Sequence, residues 1–175
     1  MQRSSTQELV AAAERDARAC SVLMSSDPDY LGGQASFHAQ QRAEKYAKAV
    51  ALEVLGGYGR THQIDDLLEA VAKERGIEVP EEVLDHAAQL SAYVTMARYP
   101  AGFEISAEDA REAIAYSDEV VGFLVNMGFG EILGMESEQL GSLARLDAIF
   151  ASVDKKLTAY NGSEPTIGDI IADSH

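Results

Sequence analysis

Between Gln34 and Leu55 the apolar residues Ala39, Ala43, Tyr46, Ala47, Val50 and Val54 recur three and four positions apart. That spacing puts them on one face of an α-helix and is incompatible with the period of two that a half-buried strand requires. A helix with such a stripe must bury it, so this segment predicts helix packed on helix. The flanking segments agree. Ser5-Thr6-Gln7-Glu8 has the form of a capping box and opens a helix-favouring run to Met24, which Ser25-Ser26-Asp27-Pro28-Asp29 then breaks. After the connector Gly56-Gly57-Tyr58-Gly59, a shorter helix is expected from Gln63 to Arg75, with Ile64, Leu67, Leu68 and Val71 facing inward and Gly76 closing it. Pro80, Glu81 and Glu82 suit the first turn of a fourth helix that ends near Tyr99, and Ser106 to Asp109 caps a fifth that reaches about Met127. Period-two alternation occurs nowhere, so the expected class is all-α, an antiparallel up-and-down helical bundle.

A chain of 175 residues can enclose one proper core and little more. Residues 1–127 are read as the bundle and residues 128–175 as a C-terminal helical extension, with a hinge at Gly128 to Gly134. In that extension Leu143, Leu146, Phe150, Val153 and Leu157 keep the spacing of a coiled-coil seam for about two heptads, which predicts an additional helix packing on the bundle or on a partner.

Charge and cysteine usage narrow the function classes. The formal net charge of −15 disfavours duplex nucleic acid, whose phosphates are bound by clustered Lys and Arg. One stretch departs from this: Leu31 to His62 holds Arg42, Lys45, Lys48 and Arg60 against only Glu44 and Glu53, so a small anion is a better expectation than a long polyanion. The single Cys20 excludes an intrachain disulfide and a Cys-based metal cluster, and His86 and His175 lack partner spacing, so no metal or cofactor is expected. No apolar run approaches the roughly 20 residues of a membrane span, and no secretory leader is read at the N-terminus. A cytoplasmic location is the expectation.

Phe37-His38-Ala39-Gln40-Gln41-Arg42-Ala43-Glu44-Lys45 resembles the signature segment of the HEPN domain, the higher eukaryotes and prokaryotes nucleotide-binding domain. Arg60-Thr61-His62 resembles the turn into that family's third helix, and Ala97-Arg98-Tyr99-Pro100 the end of its fourth. The resemblance covers roughly Gln7 to Met127. It implies a helical bundle that pairs across a twofold axis into a homodimer. It also implies one of two activities: nucleotide or protein binding, with a nucleotidyltransferase as partner in a toxin-antitoxin system, or metal-independent RNA cleavage. The ribonuclease branch carries an Arg followed by His after four to six residues, and no Arg in this chain has a His at that spacing.

The candidate ligand residues are therefore His38, Gln41, Arg42, Lys45, Arg60, His62 and Arg98. His38, Gln41, Arg42 and Lys45 form a polar ridge about 100° from the centre of the apolar stripe. As a binding surface, the ridge supplies hydrogen bonds from His38 and Gln41 and positive charge from Arg42 and Lys45. As a plain helix face, it has Lys45 paired to nearby carboxylates and His38 bonded to a backbone carbonyl. His62 precedes a helix and so suits capping or an anion at that helix's N-terminus. Arg98, in a last turn, is stabilised by the helix dipole whether or not it reaches a ligand. No catalytic residue is assigned on the binding reading. For the ribonuclease alternative Arg60 and His62 are the pair, and a purely structural interaction module is the third reading.

Overall fold

The computed structural model of the chain describes residues 4–98 and 105–135, and every regular element among them is helical. α1 spans Ser5–Ser26. Its capping box sits one residue earlier than expected: the Ser4 hydroxyl accepts from the Gln7 amide at 3.2 Å, and Gln7 Oε1 accepts from the Ser4 amide at 3.1 Å. Ser4-Ser5-Thr6-Gln7 satisfies the same pattern as the box one residue on, so the sequence offered two registers.

α2 begins at Pro28, not near Gln34, and runs to Leu55. Asp27 alone separates α1 from α2, and its carboxylate caps the new helix by accepting from the Tyr30 amide at 3.1 Å. Pro28 then occupies a first-turn position where its missing N–H costs nothing. Glycine is a poor helix former, yet Gly32 is needed inside the helix: a Cβ there would meet the carbonyl oxygens of Ile105 and Ser106, each at 2.9 Å. Absence of a side chain is what lets the strand of chain before α5 cross α2 so closely.

α3 spans Ile64–Arg75, α4 Glu81–Arg98 and α5 Ala107–Leu124. The chain then makes one π-helical turn, Val125–Phe129, because Gly128 adopts φ 93° and breaks the α-helical ladder. The segment expected as a hinge is packed, with Phe129 and Leu133 almost fully buried. The expected sixth helix over Leu143 to Leu157 lies outside the described residues, as does the rest of the extension from residue 136.

α1 and α2 form an antiparallel hairpin. Thr6 reaches Glu53, Asp16 reaches Lys45 and Cys20 reaches Ala35, partner numbers that fall as the first rises. α4 and α5 form a second, in which His86 meets Glu119 and Tyr93 meets the Asp109 carbonyl. α2 is the central element, packed by α1, α3, α4 and α5. Its alanines at 35, 39, 43, 47, 49 and 51 are buried, and their small side chains allow neighbours on several sides at once. The expected stripe is inside as far as Val50, while Val54 is only half buried near the helix end.

Candidate functional site

His38 and Lys45 lie seven residues apart, two turns along α2, so they share a face. That face meets α1 at Asp16, a buried carboxylate whose Oδ1 is 2.8 Å from His38 Nδ1 and whose Oδ2 pairs with Lys45 Nζ. A buried carboxylate needs such partners, because its desolvation is otherwise uncompensated. Arg42 turns toward α5, where its Nη1 pairs with Asp118. The Arg42 side chain is only 16% exposed, and its Nε has no hydrogen-bond partner among the described residues.

One turn further along, Glu44 gathers a second network. Its Oε1 accepts from Lys48 Nζ at 2.6 Å and stands 3.0 Å from His62 Nδ1, and its Oε2 accepts from Gln40 Nε2 at 2.7 Å. Gln41 extends the chain by donating to Gln40 Oε1 at 2.8 Å. Burial pushes the Glu44 carboxyl upward, but hydrogen bonds from Lys48, Gln40 and His62 outweigh it and hold the group below its ordinary 4.5. Lys48 Nζ also lies 5.2 Å from the centre of the Tyr58 ring, so the connector after α2 is fastened back over that helix at two places.

The structure thus divides the expected site between two acidic centres. His38 and Lys45 share Asp16, while Gln41 and His62 join through Gln40 and Glu44. Arg42 belongs to the α2/α5 boundary. Arg60 is exposed and makes no ion pair among the described residues. Arg98 closes α4, and its side chain lies outside the described residues together with Tyr99 and Pro100. His62 does not cap α3. The cap position is Gln63, whose amide donates to Thr61 Oγ1 at 3.1 Å, and the His62 imidazole bonds Glu44 instead. His38 bonds the Asp16 carboxylate and not a backbone carbonyl.

A model of the HEPN domain matches residues 6–128. The chain belongs to the HEPN family. A crystal structure of an archaeal HEPN homologue is similar to it at a TM-score of 0.55 and 26% identity, a match covering 75% of this chain and 99% of that one. A search of curated proteins found no match.

In this HEPN chain the signature segment Phe37 to Lys45 is buried structure as much as surface, since Ala39, Gln40, Ala43 and Glu44 are inside. The acids that organise it were not singled out from sequence. Asp16 had a signal: it shares three-and-four spacing with the buried Ala13 and Cys20. Asp118 had none, because its partner is 76 residues away. The HEPN fold also gives His86 a setting that spacing could not reveal, stacked on Tyr116 with ring centres 4.1 Å apart and paired to Glu119. Among the described residues no group of three His, Cys, Asp or Glu could hold a metal, and no helix is long and apolar enough to cross a membrane.

Proposed function

We propose that this HEPN protein is a binding and regulatory member of its family, not a nuclease, and that it takes the phosphates of a nucleotide at the Arg60 to His62 end of the connector. The observation that carries this reading is the division of cations. His38, Arg42, Lys45 and Lys48 are each engaged by a carboxylate, while Arg60 is exposed without an ion pair among the described residues and the His62 side chain is 79% exposed. Glu44 orients the imidazole through Nδ1, so that the protonated ring presents Nε2–H as a donor to a phosphate oxygen. A homodimer, a nucleotidyltransferase partner in a toxin-antitoxin system and a reducing, cytoplasmic setting complete the proposal. Family membership and the lone Cys20 support them.

Calorimetric titration with ATP and GTP, with and without magnesium, tests the ligand. Saturable heat that disappears in Arg60→Ala is the expected result, and silence at millimolar nucleotide defeats the proposal. The oriented His62 beside Arg60 is also what favours the second reading, a metal-independent endoribonuclease in which His62 takes the 2′-hydroxyl proton and Arg60 stabilises the phosphate. RNA left intact after long incubation with pure protein ends that reading.

A further inference from the structure

A cavity of about 260 Å³ lies where α1, α2 and α5 meet. Its walls are apolar or small, with Ala17, Cys20 and Met24 from α1, Ala39 from α2 and Ile114 from α5. Arg42, Asp118 and Ser21 supply its polar part. The ion pair of Arg42 with Asp118 uses Arg42 Nη1, and Arg42 Nε remains buried without an acceptor among the described residues. A buried N–H without a partner is costly, more so on a charged group, so an acceptor delivered there gains more than an ordinary hydrogen bond.

We infer that this cavity is a binding site for a small, uncharged, largely apolar molecule carrying one carbonyl acceptor, which receives the Arg42 Nε–H. Size, polarity and charge each bear on that class. An apolar cavity of roughly 150 Å³ already holds a benzene ring, so this one accommodates a ring with a short polar substituent. The apolar walls favour a hydrocarbon body, while the buried donor left without an acceptor, Arg42 Nε–H, fits one carbonyl. The guanidinium is already neutralised by Asp118, and Asp16 stands close enough for its charge to bear on Cys20 in the same wall. A carboxylate ligand would therefore find no unmatched cation here, since Arg42 is paired with Asp118 and Lys45 with Asp16. The site is separate from the Arg60 and His62 proposal and stands without it.

Titration of the isotope-labelled full chain with acetophenone, ethylbenzene and benzoate, followed by amide chemical shifts, tests the inference. Acetophenone should bind at least about tenfold more tightly than ethylbenzene, the worth of one hydrogen bond from a charged donor, and benzoate more weakly than acetophenone. Shifts should centre on Ala17, Ala39 and Ile114. Arg42→Met should reduce acetophenone to the ethylbenzene level. Ala17→Leu, at a half-buried position, should fill the space and abolish binding of both. Equal affinity for ketone and hydrocarbon overturns the role of Arg42, and tighter benzoate binding overturns the neutral class. No binding of any probe at millimolar concentration to folded protein overturns the site, and the comparison on the unmodified chain decides the matter even if a variant does not fold.

Discussion

His62 Nδ1 stands 3.0 Å from Glu44 Oε1, which ties an exposed imidazole in the connector to a carboxylate buried in the central helix. The contact spans 18 residues and joins a segment with no regular structure to the most enclosed element of the bundle. Glu44 is thus both a core residue and the support of the proposed ligand surface. Its loss should register in stability and in binding together.

Glu44→Ala should destabilise the protein by roughly 2 to 4 kcal/mol, because it strands Lys48, itself only 12% exposed, without its carboxylate. The sign of the pH dependence follows from the lowered Glu44 pKa. The ionised form is favoured in the folded state, so its contribution is complete above about 4.5 and is lost as pH falls through the lower folded value. Urea midpoints measured from about pH 7 down to about pH 3 should fall more steeply for the parent than for Glu44→Gln. Parallel slopes in the two proteins would show that Glu44 is not a linked group.

Two adjacent glycines should respond oppositely to alanine. At Gly32 the new methyl meets backbone oxygen at 2.9 Å on a neighbouring segment that cannot rotate away, which should cost about 1 to 3 kcal/mol. At Gly33 the nearest atom is Ile105 Cδ1 at 3.9 Å, ordinary contact, so Gly33→Ala should stabilise by about 0.5 to 1 kcal/mol through the helix backbone. Thermal unfolding of the pair checks both signs at once.

Ser106→Ala should cost about 1 kcal/mol by deleting the cap of α5. The hydroxyl accepts from the Asp109 amide at 3.1 Å and donates to Asp109 Oδ2 at 2.7 Å, and the Ser106 amide donates to the same oxygen at 2.8 Å. These bonds hold the Asp109 carboxyl below its ordinary 3.8, and the substitution should let that pKa rise, as read from side-chain carbon shifts during titration. An unchanged Asp109 titration would show that the box does not persist in solution.

Cys20 should resist alkylation in the folded protein. Burial pushes its thiol up to about 11, outweighing the opposing pull of Arg42, with lesser upward contributions from Asp16 and Asp118. At pH near 8 only about one thiol in a thousand is ionised, and the thiolate is the reactive form. Iodoacetamide should therefore label native protein slowly and denatured protein fast, whereas equal rates would contradict the burial.

Much of this architecture could be read from local patterns. The face of α3 was visible in Ile64, Leu67, Leu68 and Val71 because helical spacing is a property of a short window, and all four are buried. The start of α2 was not, since Gly32 looks like a breaker until Ile105 and Ser106 arrive from the far side of the chain. The candidate site divides in the same way. His38, Arg42 and Lys45 were evident as a ridge, but what they do depends on Asp16 and Asp118, and only packing brings those acids within reach. Nor did any local pattern indicate that α5 runs alongside α2 in the same sense, with Gly32 beside Ser106 and Arg42 beside Asp118, because the short α3 and its connectors decide that direction.

The corner at Asp27 leaves no slack between the first two helices. One residue finishes α1 and starts α2, so a residue inserted within the last turns of α1 has no loop beside it and would rotate the preceding part of that helix about its axis by about 100°. Asp16 would swing out of reach of His38 and Lys45, and the wall formed by Ala17 and Met24 would turn away with it. Beside this joint, length and rotational phase are the same variable.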